Sequence, residues 1–206
     1  MSENLEFQIE RLYAAIGAAQ EKDPVKLRAK VWRSERGFGM GQDFRGGQTD
    51  AQLMNTAQTI IATVANFGEH LKNWARASDR DPKKVDEAVK ASFELQVILD
   101  LANFERHPHP ARNDGRSKKN PKVKDVNRVM QLSTRPVKGS AMAMQVGRDG
   151  MPRFLGDGDA RAVVTGDVVA VDGVRIGDLQ GLIGKAIEAW RRVMVVYEIA
   201  RGVRRE

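Results

Sequence analysis

The sequence predicts a mainly α-helical protein: an up-and-down helical bundle with a small β-ribbon inserted before the C-terminal helix. Three observations carry this expectation. Apolar residues recur at three- and four-residue spacings over 3–21, 51–77, 82–107 and 178–201, the period of a helix with one buried stripe. Asp, Thr and Pro stand where several of those runs begin, as capping and first-turn residues do. Residues 140–177 instead cluster or alternate β-branched side chains between Gly and Asp-Gly turn signals.

Each element follows from its own residues. Leu5, Ile9, Leu12, Tyr13 and Ile16 make the first helix amphipathic, and Asp23-Pro24 ends it or opens a short piece containing Val25, Leu27, Val31 and Trp32. Residues 33–49 hold five glycines. No strand precedes them and no Gly-Lys-Ser/Thr ending follows, so they read as a flexible connector and not as a phosphate-cradling loop. Thr49 or Asp50 caps the helix over 51–77, whose seam runs Leu53, Ala57, Ile60, Val64, Phe67, Leu71 and Trp74. Asp79 or Asp81 caps the next helix, with Pro82 at its first position, and Pro108 and Pro110 stop it. Val85, Ala88, Phe93, Val97, Ile98, Leu101 and Phe104 cover much of its circumference, which makes it the central helix. A basic loop is expected over 108–139, then the ribbon. Gly177-Asp178 caps the closing helix, with Leu179, Ile183, Ala186, Ile187, Trp190, Met194 and Tyr197 on its seam. The closing helix must bury that face, and the earlier helices are its nearest partners, so one domain over 1–206 is the economical arrangement.

Composition narrows the function. The 206 residues are 41% hydrophobic and 30% charged, and no apolar run approaches the ~20 residues of a membrane span. The start, MSENLEFQIERLY, lacks the basic-then-apolar layout of a signal peptide, so export is not expected and a cytoplasmic setting is. No cysteine is present, which excludes disulfides, thiolate zinc sites, iron–sulfur clusters and a thiol nucleophile. No cofactor is implied. Net charge is +7. Residues 111–138 carry nine Lys or Arg, among them Arg112, Arg116, Lys118, Lys119, Lys122, Lys124 and Arg128, against Asp114 and Asp125. Nine minus two equals the excess of the whole chain. Such a cluster is either a footprint for RNA or another polyanion or a solvated loop. It contains no aromatic residue on which bases stack.

A second feature is the polar stripe Gln96, Asp100, Asn103 and His107 on an otherwise apolar helix, with Arg106 beside it. Two readings stay open. In one, His107 moves protons near neutral pH, Arg106 grips a phosphate, and Asp100 or Asn103 orients the imidazole, a set suited to metal-free RNA cleavage. In the other the stripe is a buried clamp: Asp100 pairs with a cation on a neighbouring helix, Asn103 bonds backbone, and the histidine caps the helix end. A metal reading would gather His70, His107, His109 and Asp100. Structural zinc usually takes four Cys or His ligands, and the chain has three histidines, so unligated histidines are the better reading.

NFGEHLKNW (66–74) and DLANFERHPHPAR (100–112), about thirty residues apart, resemble a pattern in uncharacterised bacterial proteins that look like distant members of the HEPN superfamily. The closing GKAIEAWRRVM (184–194) suits that layout, and the resemblance covers 51–112 and 160–200. It implies an up-and-down bundle, often a homodimer. It also implies either a metal-independent endoribonuclease of a toxin–antitoxin or phage-defence system or a non-catalytic binding module. The family's catalytic Arg is separated from its His, whereas Arg106 and His107 here are adjacent and His109 follows after one Pro. The expectation is therefore an HEPN-like RNA-associated protein. A non-catalytic nucleic-acid or protein-binding module, or an assembly protein, is the alternative.

Overall fold

The computed structural model describes residues 3–18, 20–21, 29–34, 37–42, 44–106, 115–134, 137–148 and 152–199. Five helices run α1 (Glu3–Ala18), α2 (Asp50–Ala77), α3 (Lys83–Ala91), α4 (Phe93–Arg106) and α5 (Leu179–Val196). Eight strands accompany them: β1 (Gln20–Glu21), β2 (Ala29–Ser34), β3 (Gly37–Gln42), β4 (Lys122–Ser133), β5 (Met142–Val146), β6 (Pro152–Gly156), β7 (Asp159–Val169) and β8 (Arg175–Asp178). The protein is thus a mixed α and β fold, and the expectation of a mainly helical bundle with one small ribbon is corrected.

The helix starts are chemically plain. Thr49 Oγ1 accepts from Gln52 N at 3.2 Å, and Gln52 Oε1 accepts from Thr49 N at 2.8 Å, a reciprocal cap that fixes the start of α2. Asp178 Oδ1 accepts from Gly181 N at 2.7 Å and starts α5. Asp81 Oδ1 accepts from Lys83 N at 2.9 Å at the head of α3. The single helix expected over 82–107 is in fact two. Ser92 is extended (ψ 111°), its N–H ends α3 on Val89 O, and its Oγ accepts from Leu95 N at 3.2 Å to open α4. One serine therefore serves as stop and start, a role its side chain fills better than a helix interior.

The sheets account for the remaining corrections. β7 is the centre of a four-stranded antiparallel sheet, with β4 along one edge and β1 and β8 sharing the other. β2–β3 and β5–β6 form separate hairpins. The basic loop expected over 108–139 therefore contains a twelve-residue strand, β4. The connector expected over 33–49 contains β3 and the last two residues of β2, so a strand does precede the glycines, contrary to expectation. In β3 glycine alternates with Phe38, Met40 and Gln42, a period of two that marks a strand.

One hydrophobic cluster joins the helices to one face of the large sheet. Val126 of β4 and Val164 and Val168 of β7 belong to it with Leu12, Leu53, Ile61, Leu71, Ile98 and Ile183. Trp190 of α5 is its largest fully buried side chain. Its Nε1 donates to Val64 O of α2 at 2.9 Å, and its ring meets Phe67 edge-on at 6.5 Å. Tyr197 packs at a tilt against Trp74, with ring centres 5.6 Å apart, and donates its hydroxyl to Asp81 O at 2.6 Å. Among the described residues no helix is long and apolar enough to cross a membrane.

Candidate functional site

Asp100 sits in the third turn of α4 and is 8% exposed. Its carboxylate is enclosed by the turn that precedes β4. Oδ1 accepts from Arg116 N at 2.9 Å, and Oδ2 accepts from Ser117 N at 2.7 Å and Ser117 Oγ at 2.6 Å. Gly115 makes the approach possible. Its φ is +73°, and a Cβ there would lie 2.6–2.8 Å from the carboxylate atoms. Three hydrogen bonds compensate a charge withdrawn from water. The partners are backbone amides and a hydroxyl, not the cation on a neighbouring helix that the clamp reading expects.

The rest of the stripe separates. Gln96 Nε2 donates to Val89 O at 3.1 Å and Lys90 O at 3.0 Å, closing the C-terminal end of α3. Asn103 is exposed on α4. Arg106 is the last residue of α4. Its side chain, together with His107, His109 and Arg112, lies outside the described residues. His70 stands half-buried on α2 beside α1. Burial holds its imidazole below the ordinary value, the Arg11 charge adds to this, and Glu69 acts the other way. Among the described residues no three His, Asp or Glu side chains gather as a metal site.

The basic residues form the second half of the candidate site. Arg116, Lys118, Lys119, Lys122 and Lys124 are exposed, in the turn before β4 and on its first residues. Lys118 and Asn120 have positive φ, at 59° and 42°, so this turn is tightly folded. Lys119 O accepts from Val171 N at 3.0 Å, which ties the turn to the β7–β8 connection. Lys122 Nζ lies 5.0 Å from the Phe104 ring centre, a cation–π contact with α4. Asp167 stands opposite Lys124 in register, but its carboxylate is occupied by Arg175 Nε at 2.7 Å. Among the described residues, Arg116, Lys119, Lys122 and Lys124 have no salt-bridge partner. Arg128 is half-buried, and its Nε has no hydrogen-bond partner among the described residues.

A bulge between Lys124 and Asn127 arranges this surface. Two residues, Asp125 and Val126, stand against the single Gly166. Asp125 takes φ 50°, and a Cβ on Gly166 would lie 2.9 Å from Lys124 O. The extra residue shifts the alternation by one. Val123 and Val126 therefore both pack on the core, while Lys122 and Lys124 stay at the surface. Chemically the arrangement is a row of exposed cations on a turn and strand anchored to α4 through Asp100. The sequence identified the cations. It missed Ser117, Gly115 and Gly166: Asp114-Gly115 carries only turn chemistry, and Gly166-Asp167, which has the composition of a turn, lies inside β7 opposite the bulge. No family model matches the chain, and no curated protein or solved structure shows significant similarity to it.

Proposed function

We propose that the chain associates with RNA, or with a polyanion of similar charge spacing, through the turn 115–119 and the first residues of β4, in a cytoplasmic setting. The observation that supports this reading is the row Arg116, Lys119, Lys122 and Lys124: exposed, without salt-bridge partners among the described residues, and carried on a turn locked to α4 by Asp100. Phosphate oxygens would meet these cations, and release of condensed counterions would drive binding. No aromatic residue lies among 111–138, so contact runs along the backbone of the nucleic acid and shows little base preference.

In this reading Asp100 is a positioning residue. Its two oxygens hold the turn in place, which leaves Asn103 as the residue to orient an imidazole in the ribonuclease scheme. The HEPN-like kinship rests on the residues quoted for it alone, and the mixed fold departs from the helical bundle that kinship implies.

The test is binding of a labelled single-stranded RNA, read by fluorescence anisotropy at stepped salt. Affinity is expected to fall steeply with salt, and Lys122→Ala with Lys124→Ala is expected to flatten the log–log slope by about 0.7 per residue removed. Binding that ignores salt, or no binding, would sink the proposal. A parallel incubation with RNA in EDTA separates the enzyme reading: cleavage that disappears in His107→Ala would make the protein a ribonuclease instead of a binding module.

A further inference from the structure

A cleft of about 490 Å³ opens between α2, α3 and α4 above Trp190, within the size range of small-molecule sites. Part of its wall is apolar, with Val89 and Leu99 partly open to solvent and Val85 and Trp190 sealing the base. Gly68 allows that seal, since a Cβ there would lie 2.9 Å from Cη2 of Trp190. On one wall two carboxylates share a single ammonium. Lys72 Nζ contacts Asp86 at 2.8 Å and Glu69 at 3.1 Å, and Asp86 foremost holds the ammonium pKa above its ordinary value.

Two other cations line the same cleft, Lys90 and Arg116. Among the described residues neither side chain has a hydrogen-bond or ion-pair partner. Both are nevertheless fixed at the root. Lys90 O accepts from Gln96 Nε2, and Arg116 N donates to Asp100 Oδ1. Lys72, Lys90 and Arg116 outnumber Glu69 and Asp86 by one in this lining, and the excess lies with Lys90 and Arg116 beside the apolar part of the wall, an arrangement complementary to one negative group joined to an apolar body.

We propose that this cleft binds a small organic anion, a carboxylate, sulfonate or phosphate carried on a flat apolar ring system. The anionic group meets Lys90 and Arg116, and the ring lies on Val89 and Leu99. This inference does not rest on the polyanion reading; Arg116 alone belongs to both surfaces.

The probe is 8-anilinonaphthalene-1-sulfonate, titrated into the full chain by its fluorescence, with the uncharged parent N-phenyl-1-naphthylamine as control. One saturable site is expected for the sulfonate. Lys90→Ala and Arg116→Ala are each expected to weaken it on the order of tenfold, the scale of one charge-assisted hydrogen bond, and to leave the uncharged probe unchanged. Val89→Phe fills the space beside the apolar wall and is expected to abolish binding of both probes. Lys122→Ala is expected to leave sulfonate affinity intact, which distinguishes this site from the polyanion surface. Sulfonate binding that does not saturate, that survives Val89→Phe, or that is unchanged in both Lys90→Ala and Arg116→Ala would overturn the proposal. Lys90 and Arg116 are exposed, so their variants fold whether or not Val89→Phe does.

Discussion

Asp100 accepts three hydrogen bonds from residues 16 and 17 positions further along the chain. Asp100→Ala removes the acceptor of all three and leaves donors at Ser117, itself 6% exposed, without their partner. A loss of about 3 kcal/mol is expected in denaturant unfolding. Asp100 and Ser117 should also show coupling in a double-mutant cycle, since they touch; simple additivity would argue against the clamp. Asn103→Ala, in contrast, should change stability by less than about 0.5 kcal/mol, because Asn103 is exposed. Helical periodicity singled out Asp100 as a polar residue on an apolar helix, and that much was legible. Its partners were not, because no spacing rule links a helix to a turn beyond the His-Pro-His-Pro stretch. His70 carries a pH prediction. Its imidazole pKa is lowered in the folded protein by burial and then by Arg11, so the unfolded chain binds the extra proton first. Stability contributed this way is complete above the ordinary imidazole value of about 6.5 and declines as pH falls below it toward the depressed folded value. Melting temperature should therefore drop from pH 7 to pH 5, and His70→Gln should drop less; parallel profiles would refute the assignment.

At the scale of the element, β4 shows how a strand hides in a sequence. Val123, Val126 and Val129 recur every third residue, which is not the period of a strand. The bulge explains the mismatch, since one inserted residue lets Val123 and Val126 share the core face. Charges between them complete the disguise. Gly166→Ala tests the account directly. The added methyl meets Lys124 O at 2.9 Å and the Val126 side chain at 3.2 Å, so a cost of about 1–3 kcal/mol is expected. The same variant should also lower RNA affinity by displacing Lys122 and Lys124; unchanged stability would mean the strand accommodates the methyl without the bulge. Ser92 teaches a similar lesson. Apolar periodicity runs across it undisturbed, and only its capping chemistry marks the break between α3 and α4.

For the whole molecule, the seams of α2 and α5 were legible, and they meet in the core as helical seams do. The large sheet was not, because β4 lies in the segment read as a basic loop and β1 has two residues. Strand pairing is a non-local property: β7 pairs with its neighbour β8 but also with β4, beyond the β5–β6 hairpin, and with β1, across most of the chain. α5 is expected to be indispensable: a chain ending at residue 178 would lose Trp190, Ile183 and Val193 from the core. Its calorimetric trace should lack a cooperative transition, and a sharp one would show that residues 1–178 fold alone. The indole of Trp190 reaches back 126 positions to Val64. Synthesis runs from the N-terminal side, so α2 emerges with its notch at Gly68 vacant and Phe67 and Leu71 bare to water. Completion of the interior waits for the fifth helix to be made, and any shielding of the nascent protein must last until then.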